Sequence, residues 1–385
     1  VTILLVAAAI ALVAWLGVLV SPHQPHRTRE RLEADAGASA DLSAVTVLIP
    51  ARDEAALIAQ TLAALRLQGD RLEVVVVDDQ STDGTAAVAR AAADDSLDVR
   101  VVSGRALPEG WAGKLWALEQ GLEAARRDFV LLLDADIELL PGLVPALLQK
   151  AREQSASLVS IMAELRCLSF WERLLTPAFV FFFKLLYPFS WSNDPQRRTA
   201  AAAGGCMLVR TDVLREIGGF AAIRAALIDD CTLAAAIKRA RPPIWLGLSH
   251  SVRSLRPYPR LADFWEMVTR SAFTQLRYSA LLLVVTAALM AVVLLAPVLA
   301  VLAGSSAGRE GLSLVGTLAW LAMWAAYWPT IRFYGLSPLW ALTLPFAALL
   351  FLAMTWHSAL RYWRGSGASW KHRRYDKSFA DRGRT

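Results

Sequence analysis

Between residues 45 and 162 the apolar and polar positions follow two alternating rhythms. Short β-branched or leucine-rich runs, VTVLIP (45–50), LEVVVVDD (72–79), VRVVS (99–103), FVLLLDAD (129–136) and SLVSIM (157–162), read as strands buried on both faces. Between them, EAALIAQTLAALRLQ (54–68), GTAAVARAAA (84–93), KLWALEQGLEAARR (114–127) and 141–153 carry apolar residues at helical spacing. This repetition predicts an α/β fold, a mostly parallel sheet flanked by helices and joined by right-handed crossovers. Open sheets of this kind bind ligands outside the carboxyl ends of their strands. Three of those ends are polar: Pro50-Ala51-Arg52-Asp53-Glu54, Asp78-Asp79 and Asp134-Ala135-Asp136.

A third rhythm is continuous apolarity. Residues 1–20, VTILLVAAAIALVAWLGVLV, contain no charge and are long enough to cross a bilayer as a helix. They read as an uncleaved membrane anchor: no basic stretch precedes them and no small-x-small site ends them. Runs 279–304, 312–331 and 338–356 predict about three C-terminal transmembrane helices within 279–357, followed by a basic tail over 358–385. The stretch 171–191 is interrupted by Pro177, Lys184 and Pro188 and reads as an interfacial helix. The basic segment after residue 20 places the domain at 44–275 in the cytoplasm by the positive-inside rule. That predicts a multi-pass protein of the inner (cytoplasmic) membrane. One anchor and three further spans would put the basic tail outside, against its charge, so the parity of the spans stays open.

Composition supports this division. Hydrophobic residues make up 56% of the 385, and the net charge is +6. The basic residues cluster beside the apolar runs, at 26–31, 361–364 and 371–377, which suits anionic headgroups and gives no nucleic-acid signal. Cys167, Cys206 and Cys231 lack metal-ligand spacing and read as free thiols or packing residues.

The acids carry the candidate chemistry. Asp134 and Asp136, two apart on an extended segment, point to the same side. Held together they would raise one another's pKa unless a hard divalent cation, Mg2+ or Mn2+, lies beside them. The alternative is that they merely cap the following helix. Neither a Rossmann nor a P-loop glycine pattern occurs here, so phosphates would be held by metal and basic side chains. Lys114, at a helix start, is a candidate for that task, or an ordinary solvated lysine. Asp229 and Asp230 open a helix; one serves as an N-cap, and one is a candidate general base for an acceptor hydroxyl.

In chain order, PARDEA (50–55), VVDDQSTDGT, GKLWAL, LLDADI, AAGGCMLVR (202–210), IDDCTLA and TQLRYS (274–279) resemble the signature blocks of family 2 glycosyltransferases, which have the GT-A fold. The likeness spans about residues 44–280. The anchor, the later helices and the GKLWAL block look most like the hopene-associated glycosyltransferases. The resemblance implies a membrane-bound inverting enzyme that moves a sugar from a nucleotide-sugar donor to a lipid hydroxyl, with hopanoid as the implied acceptor. Asp78 and Asp79 would contact base and ribose, with Pro50, Arg52 and Glu54 lining that pocket. Asp136, helped by Asp134, would hold the ion on the diphosphate. Gly204, Gly205 and Cys206 would floor the acceptor side, and Asp230 would be the base, with Asp229 where the family usually has Glu. Gln275, Arg277 and Tyr278 resemble a Gln-x-x-Arg-Trp block, one residue short and ending in Tyr. Two other readings are a processive polysaccharide synthase and a silent nucleotide-binding membrane scaffold.

Overall fold

The computed structural model describes residues 1–385 except 36, 38–39, 95–96, 241–242, 366–368, 371–372 and 375–385. The basic cluster expected at 371–377, apart from residues 373 and 374, lies outside the described residues. The chain divides into two compact units, Val1–Arg29 with Cys167–Ser190 and Tyr258–Gly365, and Glu30–Arg166 with Trp191–Pro257 and Ser366–Thr385.

The first unit is helical. Four of its helices, Thr2–Val20, Ala280–Ser306, Glu310–Phe333 and Pro338–Trp363, are long and apolar enough to cross a membrane. Small residues let them approach closely, as membrane helices require. A Cβ on Gly316 would lie 2.7 Å from the Pro297 carbonyl oxygen, so only glycine fits there. The helix after Ala280 widens into a π-turn at Ala291–Leu295 just before Pro297, where the proline ring cannot accept regular helical packing. Phe170–Leu186 also belongs to this unit; its start is a capping box in which Ser169 and Glu172 satisfy each other's backbone N–H groups. The buried Glu172 carboxylate also accepts from the Leu168 N–H at 3.0 Å and the Tyr258 N–H at 2.8 Å. Leu174, Phe181, Phe264 and Val268 share a core with Tyr327, Leu344 and Phe351, which is why 167–190 and 258–275, inside the span expected as one domain, group with the apolar helices.

The second unit is built on an eight-stranded sheet. Its strands are β1 (Val45–Ala51), β2 (Glu73–Asp78), β3 (Asp98–Ser103), β4 (Phe129–Leu133), β5 (Ile137–Leu139), β6 (Leu158–Glu164), β7 (Cys206–Arg210) and β8 (Ile244–Ser254), in the order β3-β2-β1-β4-β7-β6-β8-β5. β1 pairs in parallel with β2 and β4, as does β2 with β3 and β6 with β8. β7 runs antiparallel to both β4 and β6, and β5 antiparallel to β8, so the sheet is mixed, with the other six strands running in one direction as the expected mostly parallel sheet requires. β7 enters only after the excursion that follows Arg166, which carries the helices Phe170–Leu186 and Phe189–Asn193. Alternate residues of each strand serve opposite cores. Val47, Ile49, Val74, Val76 and Leu131 pack with the helices Ile58–Leu65 and Leu143–Glu153. Leu48, Val75, Val77 and Leu132 pack with Gly113–Ala124 and Asp229–Arg239 on the other face.

Candidate active site

The ends of β1 and β2 are stitched together by side chains. The Asp79 N–H donates to the Ala51 carbonyl at 2.8 Å, and the Asp53 N–H donates to Ser81 Oγ at 3.0 Å. The Thr82 N–H returns to Asp53 Oδ1 at 2.9 Å, while Thr85 Oγ1 accepts from the Glu54 N–H at 2.8 Å and donates to Asp83. Asp53 (φ 50°) and Gln80 (φ 59°) both take left-handed backbone, which turns the chain sharply at each strand end. Asp79 is fully buried. Its carboxylate meets the Arg373 guanidinium at 2.8 and 3.0 Å, and Arg52 donates to its carbonyl oxygen. Burial raises the Asp79 pKa to about 6, against the pull of Arg373 and Arg52.

Beyond β4 the polypeptide turns through Asp134-Ala135-Asp136, and the Asp134 N–H donates to the Gly205 carbonyl at 3.1 Å. Here the antiparallel β7 brings its beginning against the end of β4. Lys114 Nζ lies 2.8 Å from Asp134 Oδ1 and 3.3 Å from Asp229 Oδ2. A cation at a helix N-terminus opposes the dipole, and these acids offset that conflict. Burial alone would lower the lysine's pKa, but Asp134, Asp229 and Asp230 outweigh it and hold the ammonium above the ordinary lysine range.

Asp230 accepts from the Gly204 N–H at 2.9 Å through Oδ2 and from the Cys231 N–H at 2.7 Å through Oδ1. Burial, then repulsion from Asp229, raises it to about 7 in spite of those donors and Lys114. The Asp134 carboxyl is also pushed up, by burial and by Asp136 and Asp229, with Lys114 opposing. A further basic residue closes this edge. Arg256 Nε is 2.6 Å from Asp136 Oδ2, and its Nη2 is 2.7 and 2.8 Å from the two oxygens of Glu54. The cluster thus offers a carboxyl able to change protonation near neutral pH, beside a lysine and a guanidinium that hold the neighbouring acids.

Residues 46–218 match the family model described as Glycosyl transferase family 2. The chain carries a family 2 glycosyltransferase domain. It is 37% identical over 135 residues to the undecaprenyl-phosphate 4-deoxy-4-formamido-L-arabinose transferase of Pseudomonas aeruginosa (strain LESB58), covering 34% of this chain and 38% of that protein. It is 34% identical over 119 residues to the 4,4'-diaponeurosporenoate glycosyltransferase of Staphylococcus haemolyticus (strain JCSC1435), covering 30% and 31%. The chain spans about a third of the length of these curated relatives. Among solved structures, the Pyrobaculum calidifontis mannosyltransferase PcManGT, in complex with GDP-Man and Mn2+, superposes with a TM-score of 0.54 at 20% identity, over 92% of this chain and 99% of that one. That likeness shows the fold, which is GT-A-like.

Within the glycosyltransferase domain and the strands that follow it, the sequence-selected residues fall into two groups. Arg52 and Asp79 meet at the β2 end, beside Asp78 and the buried Pro50. Lys114, Asp134, Asp229, Asp230 and Gly204 meet at the β4 end; a Cβ on Gly204 would lie 3.4 Å from both Lys114 Nζ and Asp230 Oδ2. Gly205 supplies a backbone carbonyl to Asp134, whereas the Cys206 side chain is fully buried in the sheet core, its thiol pushed up to about 12 by burial and by Asp134. Gln275, Arg277 and Tyr278 belong to the helical unit, where Gln275 donates to the Tyr187 hydroxyl and Tyr278 stacks on Tyr362 at 4.5 Å. Glu54 and Asp136 are joined by Arg256, and Asp79 is held by Arg373; sequence reading selected neither arginine. RPYPR (256–260) and the charged tail resemble solvated basic stretches, and their acid partners lie 120 to 294 residues away. Asp134 and Asp136 are oxygen ligands of the kind a hard divalent ion takes, and each is paired with a protein cation, Lys114 and Arg256, that a bound ion would have to share or displace. Among the described residues no three His, Cys, Asp or Glu side chains converge as a metal cage, so a substrate diphosphate would complete the coordination.

Proposed function

We propose that the protein is a membrane-bound inverting glycosyltransferase, moving a sugar from a nucleotide-sugar donor to the hydroxyl of a lipid. The observation that carries this is the Lys114–Asp134–Asp229–Asp230 cluster at the carboxyl end of β4. Asp230, raised to about 7, is matched to taking a proton near neutral pH. Its carboxylate keeps lone pairs beyond those used by Gly204 and Cys231. Asp229, paired with Lys114, is committed to charge balance. As the acceptor oxygen attacks the anomeric carbon, Asp230 takes its proton. The bond from that carbon to the diphosphate oxygen breaks on the opposite face, and the configuration inverts in a single displacement. Lys114 supplies positive charge for the departing diphosphate.

Mg2+ or Mn2+ on Asp136 and Asp134 would neutralise the diphosphate and act as a Lewis acid on it. Asp78, with Asp79, Arg52, Pro50 and Glu54, forms the nucleoside side, and Gly204 and Gly205 the acceptor side.

A base raised toward neutrality also bears on the acceptor. A lipid phosphate, the acceptor class named in one set of relatives, arrives already ionised and needs no base; a hydroxyl does need one. This favours a hydroxyl lipid, with hopanoid the class implied by the resemblance. The four apolar helices, and the exposed Leu168, Phe170 and Leu186 around Phe170–Leu186, favour an acceptor met at an inner-membrane surface from the cytoplasmic side.

The test is transfer of radiolabel from a panel of nucleotide sugars into lipid, using membranes with added Mg2+ or Mn2+ and a hopanoid-containing extract. Label in the organic phase, lost with chelator and in Asp230→Asn, supports the reading. Label only in insoluble polymer would replace it with a polysaccharide synthase. Failure to bind any nucleotide sugar would leave a silent scaffold.

A further inference from the structure

We infer that Arg373 completes the nucleotide end of the donor pocket as a positioning residue. This rests on the donor-binding reading given above. Arg373 reaches back across 294 positions to Asp79, an acid that is fully enclosed. Its Nη1 lies 2.8 Å from Oδ2, and its Nη2 lies 3.0 Å from Oδ1 and 3.2 Å from Gln80 Oε1. One of these contacts, Nη2 to Asp79 Oδ1, is a charge-assisted hydrogen bond, and Nη1 adds an ion contact to Oδ2. The backbone around it is ordered as a two-stranded antiparallel pair, Ser369–Trp370 with Arg373–Arg374.

Three consequences follow for recognition. Asp79 faces the Arg373 guanidinium with both oxygens, Oδ1 in a hydrogen bond and Oδ2 in an ion contact, so its charge is taken up by that arginine, although Oδ2 has no hydrogen-bond partner among the described residues. Asp78 is then the reader: its Oδ1 is enclosed yet has no hydrogen-bond partner among the described residues. An acceptor in that state suits a donor group such as a base N–H or a ribose hydroxyl. Gln80, in left-handed backbone, is fixed by the same arginine that holds its neighbour. The nucleoside-binding turn is therefore preorganised by an arginine 293 positions further along the sequence.

The charged groups facing Asp79 are Arg52 from the end of β1, Asp78 from β2 and Arg373 from the tail. Arg373 and Arg52 pull the carboxyl down while burial and Asp78 push it up, so loss of Arg373 moves its titration above about 6. In wild type, protonation of Asp79 as the pH falls through about 6 loosens its hold on Arg373 and weakens nucleotide binding, and that pH dependence is lost in Arg373→Ala.

The experiment uses the full chain in detergent, with UDP, GDP and their hexose conjugates titrated calorimetrically into wild type, Arg373→Ala, Arg373→Lys and Asp78→Asn. Arg373→Ala is expected to weaken nucleotide binding about tenfold to a hundredfold, the range for losing a hydrogen-bonded ion contact. KM for the donor rises with it and kcat stays within a factor of about two, because the reacting bond is not touched. Arg373→Lys recovers part of the loss, and hydrogen exchange at residues 78–80 rises in Arg373→Ala while remaining at wild-type levels at the β4 end. Wild-type affinity in Arg373→Ala overturns the inference and leaves the donor-binding reading intact. Tighter binding in that variant also overturns it, by making the tail a competitor of the donor. If wild type binds none of the nucleotides, the donor-binding reading fails and this inference falls with it.

Discussion

At the end of β2, burial raises Asp79 to about 6 while two guanidiniums oppose it; at the start of Asp229–Arg239, burial and Asp229 carry Asp230 to about 7 against two backbone N–H groups and Lys114. The two acids are alike in depth and in the direction of their shift, and differ in what restrains them. Asp79 has a cation on both oxygens, a fixed pair whose purpose is to hold geometry. Asp230 is oriented mainly by main-chain donors, which point the carboxylate without supplying full charge. The first arrangement suits binding. The second suits a group that must gain and lose a proton.

The sharpest break in this comparison is Asp230→Asn. It should lower kcat about a thousandfold, within the range for a general base, and leave the nucleotide dissociation constant unchanged. Wild-type kcat/KM should rise through pH about 7, where Asp230 ionises. A kcat within tenfold of wild type would remove Asp230 as the base. Stability moves the other way. The folded-state value lies above the ordinary 3.8, so wild type loses this contribution as pH rises to about 7, and the asparagine variant does not. Thermal melts should therefore show a gain for Asp230→Asn that grows between pH 4 and 7 and then levels.

Lys114→Met comes next. It leaves Asp134, Asp229 and Asp230 without their shared cation and should cost about 3–5 kcal/mol at pH 8, less at pH 5. Since Lys114 lowers both Asp134 and Asp230, the activity limb should move to higher pH; an unmoved limb would separate the lysine from the base. Arg256→Met should cost about 1–3 kcal/mol in a melting assay, because Glu54 and Asp136 lose the group that joins them. Thr85→Val should be mildest, about 1 kcal/mol, through loss of the hydroxyl between Asp83 and the Glu54 N–H. An effect as large as that of Lys114→Met would mean that the β1–β2 turn bears more of the fold than its bonds indicate.

The sequence made β1 to β4 and their helices legible because each is a local pattern: a buried run, a helical stripe, a polar end. It also marked the acids at those ends. The helix expected at 54–68 is shorter, Ile58–Leu65, because residues 53–57 are drawn into the turn that binds Ser81, Asp83 and Thr85. β5, β7 and β8 carried no comparable signal. CMLVR is five residues long, and IWLGLSHSVRS mixes serines and a histidine into its apolar run. Lys114 was read as awaiting an anion at a helix start; the anions it meets are the protein's own, 20 and 115 residues further on, a distance no local pattern encodes. Arg256 and Arg373 were missed for the same reason.

β7 is paired with β4 on one side and β6 on the other, although both neighbours precede it in the chain. During synthesis, β4 and β6 therefore emerge first and must wait beside each other without joining, each offering an open edge of the kind that templates aggregation. Only when residue 210 has followed can the gap be filled. The segment that fills it also delivers the Gly204 N–H, one of the two donors that orient Asp230. In the time order of folding, closure of the vulnerable edge and orientation of Asp230 depend on the same insertion, so a chain stalled before it carries exposed strand edges and an unoriented carboxylate.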